Sequence, residues 1–234
     1  MHLINCASFL KPGLGNAIIK KGSDGICKAR YTELNEKFWD LKKSKQDSMI
    51  NGSLKVFARY GFRHASTDEI VAEAGVSKGL LFHYFYSKNG LYEFLAEYSA
   101  RFSLVELNSE FRKAGPIPFF ELQKKLTKAE SRILRQYPYM LLFIKKAAGD
   151  SAPEEYDDIL SNLILYTDRR FALIGDASLP ETMTAEDAAR ISGLLDLLRL
   201  ETASDLLNRG SFIPDKYSDV ISDNIQLFER LYMR

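Results

Sequence analysis

From about residue 43 onward, apolar positions recur at helical spacing, and no strand-like alternation runs long enough to matter. Ile50, Leu54 and Phe57, with Val56 beside them, define a first amphipathic helix that ends at Tyr60-Gly61, where glycine suits a cap. Ser66-Thr67-Asp68-Glu69 opens a second helix. Ser66 and Glu69 have capping-box spacing, and the acids sit where the helix dipole favours them. Ile70, Val71 and Ala74 form its apolar side, and Gly75 breaks it. Ser77 can cap a third helix running to about Phe85. Ser87-Lys88-Asn89-Gly90 reads as a short turn. A fourth helix starts near it, with Leu91, Phe94, Leu95, Tyr98 and Phe102 on one face.

The clearest later break is Lys113-Ala114-Gly115-Pro116-Ile117-Pro118. Helices are predicted over 119–136, 138–148 and 153–174, followed by a polar loop over 175–183. Thr184-x-x-Asp187 caps a long helix to about Arg209, Gly210 ends it, and Pro214 opens a last helix. The expected fold class is all-α: an N-terminal three-helix helix-turn-helix bundle followed by a larger C-terminal helical domain.

Residues 1 to about 30 differ from the rest. They hold both cysteines, Cys6 and Cys27, and between Lys11 and Arg30 five basic residues against one acid, Asp24. The extension over 1–42 reads either as a tail without fixed structure, supplied by an upstream start codon, or as a basic arm that touches DNA phosphates or a minor groove.

The whole chain carries a formal net charge of only +1, so any contact with DNA must come from a local face. Two cysteines make no disulfide framework and fit a reducing cytoplasm. His2, His64 and His83 have no metal-ligand spacing, and no metal or cofactor is expected. No apolar run approaches the roughly 18 residues of a membrane span. There is no Ser/His/Asp set, phosphate loop or dinucleotide glycine pattern, so no catalytic residue is assigned and an enzyme is not expected.

Two short helices, 66–74 and 77–85, joined at Gly75-Val76, make a helix-turn-helix. Their apolar faces pack on the first helix, and the second can enter a major groove. Gly75 is expected where a side chain would clash. The run Thr67-Asp68-Glu69-Ile70-Val71-Ala72-Glu73-Ala74-Gly75-Val76-Ser77-Lys78-Gly79-Leu80-Leu81-Phe82-His83-Tyr84-Phe85, followed by Ser87-Lys88 and Leu91, resembles the signature of the tetracycline-repressor (TetR) family. Phe57-Ala58 and Tyr60-Gly61-Phe62 resemble that family's first helix and its exit. The resemblance covers about sixty residues. It implies a homodimer on a palindromic double-stranded DNA operator, a body that takes a small-molecule effector, and control of transcription, most often repression. The chain then divides into an extension (1–42), a DNA-binding domain (43–102) and an effector-binding and dimerisation domain (103–234).

Each candidate contact also has a plainer reading. Thr67 can offer its hydroxyl and nearby N–H groups to a phosphate, or simply start a helix. Ser77 caps the recognition helix. Lys78 can reach a guanine edge or a phosphate, or stay solvated. Gly79 permits close approach to the groove. Leu80 is expected to be exposed and to meet a thymine methyl, or else to join the core. His83 and Tyr84 are placed on the outward side, where Tyr84 matches a family position that contacts the backbone. Lys88 matches the family's phosphate-binding lysine. Phe82 departs from the family pattern: many relatives carry tyrosine there, and phenylalanine cannot donate to phosphate.

In the body, the default reading of Tyr98, Phe102, Phe120, Tyr137, Met140, Phe143 and Tyr166 is core packing. The resemblance makes them candidates for lining an effector pocket, with tyrosine hydroxyls orienting a mostly apolar ligand. Ile191, Leu194, Leu195, Leu198, Leu206 and Leu207 on one helix, with Val220, Ile221, Ile225, Phe228 and Leu231 on the next, are either intrachain core or a four-helix dimer interface through the last two helices. The competing function is an effector-independent architectural or chromosome-associated DNA-binding protein on the same scaffold.

Overall fold

The computed structural model describes residues 37–111, 115–149, 157–210 and 212–232. Its helices are α1 (Lys43–His64), α2 (Thr67–Ala74), α3 (Lys78–Phe85), α4 (Lys88–Glu110), α5 (Phe119–Gln136), α6 (Met140–Gly149), α7 (Asp157–Gly175), α8 (Ala185–Asn208) and α9 (Pro214–Tyr232). Among the described residues the extended pairing is one isolated bridge, Pro118 with Ser178, which ties the loop before α5 to the loop after α7. The basic arm, both cysteines and the expected helix start at Pro153 lie outside the described residues.

The caps follow the side chains. Thr184 and Asp187 form a reciprocal capping box on α8. Hydrogen bonds from the Thr184 hydroxyl and backbone N–H hold the Asp187 carboxyl below its ordinary pKa. Gly210 has φ 89° just beyond the end of α8. Gly61, with φ 69°, interrupts α1 near its end, as its position suggested, although one further turn continues to His64. Ser66 accepts from Asp68 N, not from Glu69, so α2 begins on a simple serine cap. Ser87 caps α4 by accepting from Gly90 N, and the helix starts at Lys88, earlier than expected.

Helix α1 packs on α2 and α6, α4 on α5 and α7, and α9 on α5 and α8. One core runs from the head into the body: Phe57 meets Tyr92 at 5.0 Å, and Tyr92 meets Phe143 at 5.4 Å. A second core gathers Phe119, Leu134, Ile191, Leu195, Tyr217, Ile221 and Ile225 between α5, α8 and α9.

Two expected boundaries shift. Phe38 is fully buried against Tyr84, Phe85 and Phe94, and Trp39 leans on Phe94 and Tyr98. The buried Gln46 amide donates to the Trp39 and Leu41 carbonyls, fixing this segment to α1. The head therefore begins by residue 38, not 43. The expected division at Phe102 falls inside α4, which continues to Glu110. A buried helix carries no linker signal, so head and body share one rigid rod.

Between α5, α7, α8 and α9 lies a buried polar knot. Glu130 meets Arg199 at 3.0 Å and Arg170 at 3.3 Å, and both arginines reach Asp196. Tyr217 donates to Glu130 at 2.9 Å, and Arg199 donates to Gln123 Oε1 at 3.0 Å. Burial opposes the Arg170 charge, but Glu130, Tyr166 and Asp196 outweigh it and raise its pKa.

Candidate nucleic-acid interface

The α2–α3 pair is built from local chemistry. Gly75 takes the left-handed conformation (φ 61°, ψ 40°), and its N–H closes α2 on Ala72 O. A Cβ at Gly75 would meet nothing within 4 Å, so the expected clash is absent. Glycine suits this turn because an L side chain at that φ is strained. Lys45 Nζ donates to Gly75 O at 3.1 Å, pinning the turn to α1. Ser77 then caps α3 by accepting from Leu80 N at 3.2 Å.

Leu81 and Phe85, one helical turn apart, are each 1% exposed and anchor α3 in the core. Gly79 and His83 share the opposite spacing and are exposed, as are Ser77 and Lys78. Thr67, at the first position of α2, is half-buried. The addition of a Cβ at Gly79 would meet nothing, so its surface is open. The α3 face turned from the core is thus small and polar, suited to a groove.

One expectation needs correction, and two other candidate contacts have intrachain neighbours. Leu80 is half-buried, not exposed, because it lies on the flank of α3 beside the Leu81 anchor. Tyr84 is half-buried with its ring 5.9 Å from Phe38, so its hydroxyl, not its whole side chain, is what α3 has to offer. Lys88 donates to Ala65 O at 3.2 Å and lies 4.7 Å over the Phe62 ring, holding the α1 exit against the start of α4.

Two further lysines of the head are paired as well. Lys78 meets Asp68 at 2.9 Å, with both side chains largely exposed, and Lys55 meets Glu73 at 2.6 Å. Tyr86, at the C-cap of α3, has φ 59°, a strained setting for a non-glycine residue directly after the recognition helix. A tyrosine carries no sequence signal for that conformation.

The pocket candidates occupy tight packing. Tyr98, Phe102 and Tyr137 contact one another at ring distances of 5.0–5.9 Å. Met140 accepts a contact from Ser103 Oγ at 3.7 Å, and Phe143 joins Phe57 and Tyr92. Tyr166 is buried beside Arg170. Phe120 stands apart in the second core and borders a cavity of about 490 Å³ with Leu179.

Of the proposed dimer stripes, Ile191, Leu195, Leu207, Ile221 and Ile225 are buried within the chain. Leu198, Leu206 and Phe228 are half-buried. Leu194 and Leu197 on α8, with Val220, Leu227 and Leu231 on α9, are exposed by 40–65%. The periodicity had merged two adjacent faces of each helix into one.

Residues 49–95 match the family model described as bacterial regulatory proteins, tetR family. The uncharacterized HTH-type transcriptional regulator YerO of Bacillus subtilis (strain 168) is 34% identical over 83 residues, 35% of this chain and 29% of that protein. The HTH-type transcriptional regulator RutR of Escherichia coli (strain K12) is 27% identical over 133 residues, 56% of this chain and 60% of that protein. The match thus spans less than two thirds of either relative. A crystal structure of a TetR-like transcriptional regulator from Rhodococcus sp. RHA1 has the same fold, with TM-score 0.51 and 18% identity over 80% of this chain and 96% of that one. The segment over 49–95, which holds the capped, groove-sized helix, is thus a helix-turn-helix of the tetR family of bacterial regulatory proteins.

Proposed function

We propose that this chain is a sequence-specific DNA-binding transcriptional regulator, working as a homodimer inside the cell and released from a palindromic operator by a small-molecule effector. The observation that carries this reading is α3: anchored by Leu81 and Phe85, capped by Ser77, and presenting Lys78, Gly79 and His83 outward. Two copies related by a two-fold axis would reach successive major grooves about 34–36 Å apart. The exposed Leu194, Leu197, Val220, Leu227 and Leu231 support dimerisation through α8 and α9, since an apolar stripe on two adjacent helices matches its own copy across such an axis. Because α4 runs unbroken from the reading head into the body, a ligand that tilts it changes the spacing of the two α3 helices.

Genome-wide binding sites test the proposal. A few palindromic promoter sites are expected, and many dispersed sites would favour the architectural reading. On a mapped site, Lys78→Ala with His83→Ala should weaken binding at least tenfold, and Tyr84→Phe, which keeps the ring on Phe38, should weaken it less. Undiminished binding by the Lys78/His83 double variant overturns the assignment of α3.

A further inference from the structure

The link between α3 and α4 is two residues long, Tyr86 and Ser87. Tyr86 takes φ 59° and ψ -46°, on the positive-φ side that a Cβ disfavours. Among the described residues the other positive-φ positions are all glycine: Gly61, Gly75, Gly115 and Gly210. The surroundings hold the conformation. The Tyr86 N–H donates to Phe82 O at 2.9 Å, the Ser87 N–H donates to Phe85 O at 2.6 Å, and Phe85 is fixed in the core. Ser87 in turn caps α4 by accepting from Gly90 N. Glycine would satisfy this turn without strain. Tyrosine costs folding energy here, and with 46% of its surface exposed its ring recovers only part of that by burial.

We infer that Tyr86 contacts DNA: its hydroxyl donates to a backbone phosphate at the edge of the groove that α3 enters. Backbone strain of this kind gathers at binding sites, where it sets the aim of a side chain. Tyr86 follows the exposed His83 by three residues, less than one helical turn, and lies one residue beyond the end of α3. A recognition helix meets base edges with its N-terminal residues, so its far end lies beside the strand backbone. A tyrosine hydroxyl is among the side-chain donors that phosphates accept, and such a contact positions the helix without reading sequence. The contact is uncharged and releases no counterion, unlike one from Lys78. This inference rests on the placement of α3 in the groove argued above.

The experiment measures DNA binding of the full-length protein by fluorescence anisotropy across a salt series, on a mapped operator and on a duplex of scrambled sequence. Tyr86→Phe keeps the ring and the backbone setting and removes only the hydroxyl. It should weaken binding about threefold or more on both duplexes, leaving their ratio and the salt slope unchanged. Tyr86→Gly should weaken binding at least as much while raising the melting temperature, because glycine relaxes the turn. Opposite signs in the two measurements separate a DNA contact from a structural role. Undiminished binding by Tyr86→Phe, or a loss accompanied by a matching fall in its melting temperature, overturns the inference. So does a Tyr86→Gly variant that binds as tightly as the unaltered protein or melts below it. A loss confined to the mapped operator would point to a base and refute the phosphate contact. The Lys78/His83 double variant is measured alongside. If it loses affinity and Tyr86→Phe does not, α3 keeps its groove and Tyr86 loses its role; if neither loses affinity, the reading of α3 fails as well.

Discussion

The hydroxyls of Tyr98 and Tyr137 lie 2.6 Å apart in the core, and Tyr137 passes the contact onward by donating to Asp47 on α1 at 3.0 Å. Lys43 and the Gln136 amide donate to the same hydroxyl at 3.2 and 3.1 Å. One oxygen therefore joins the head (α1), the connecting rod (α4) and the α5–α6 junction.

Replacing Tyr137 by phenylalanine keeps the ring packing on Phe102 and Tyr98 and removes only this oxygen. Tyr98 and Asp47 each lose a hydrogen bond to it. The expected loss is about 1–3 kcal/mol, since one of these bonds is to a carboxylate. Urea unfolding measures it, and a loss under roughly 0.5 kcal/mol would mean that the hydroxyls are satisfied another way.

Alkaline pH tests the buried tyrosines. Burial first, then neighbouring acidic groups, raises the pKa of Tyr137 and of Tyr217; for Tyr166, burial outweighs the opposing pull of Arg170. The folded state keeps these protons after the unfolded chain has begun to lose them. Their stabilisation is thus complete below the ordinary tyrosine value of about 10 and declines above it, by up to roughly 1.4 kcal/mol per pH unit for each residue. Unfolding midpoints should fall steeply above about pH 10, and Tyr137→Phe should flatten that fall. An unchanged slope in the variant would rule out Tyr137 as a contributor.

Gly52 separates helix propensity from packing. An alanine in mid-helix ordinarily stabilises by about 0.5–1 kcal/mol over glycine. Here a Cβ would stand 2.5 Å from Ala74 N and 2.6 Å from Ala74 Cα, backbone that cannot swing aside. Gly52→Ala should therefore destabilise by about 1–3 kcal/mol and push α2 off α1. A stabilised variant would show that the two helices do not meet this closely.

The head was legible because its signals are local. Ser66, Gly75, Ser77 and the Leu81/Phe85 spacing act within one or two turns, and each stands where the side chain or dihedral requires. What stayed hidden was contact at long separation. Nothing near Gly52 in the chain announces Ala74, and nothing near Phe38 announces Phe94. Pairing hid the candidate site in the same way: Lys88 has a phosphate binder's spacing, yet the carbonyl it meets, Ala65 O, is 23 residues away. The body showed periodicity without direction, so Leu194 and Leu195 read as one stripe although one faces out and the other is fully buried.

Asp68 offers a gain of function. Its carboxylate pairs with Lys78 on the exposed side of the helix-turn-helix and would also face DNA phosphates. Asp68→Asn frees Lys78 and removes a repulsive charge. Operator affinity should rise several-fold at low salt, and the dependence on salt should steepen by about one further counterion per subunit. Because Lys45, Lys55 and Lys88 are held by intrachain partners, the unaltered protein should show a moderate slope. Unchanged affinity and slope in Asp68→Asn would place Lys78 away from the duplex.

Glu130 is the keystone of the buried knot, touching Arg199, Arg170 and Tyr217 at once. With Gln at this position the packing volume is kept, but two buried guanidiniums are left sharing Asp196 alone. The expected cost is about 3–5 kcal/mol, typical of stranding a buried charge. Because the knot ties α5 and α7 to the helices proposed to dimerise, the same variant should loosen the dimer, which sedimentation at several concentrations would reveal. Combining Glu130→Gln with Arg199→Met removes one charge of each sign and should recover part of the loss, since Arg170 then has Asp196 to itself. If the double variant is no more stable than Glu130→Gln alone, the cost comes from lost packing and not from the unpaired cation.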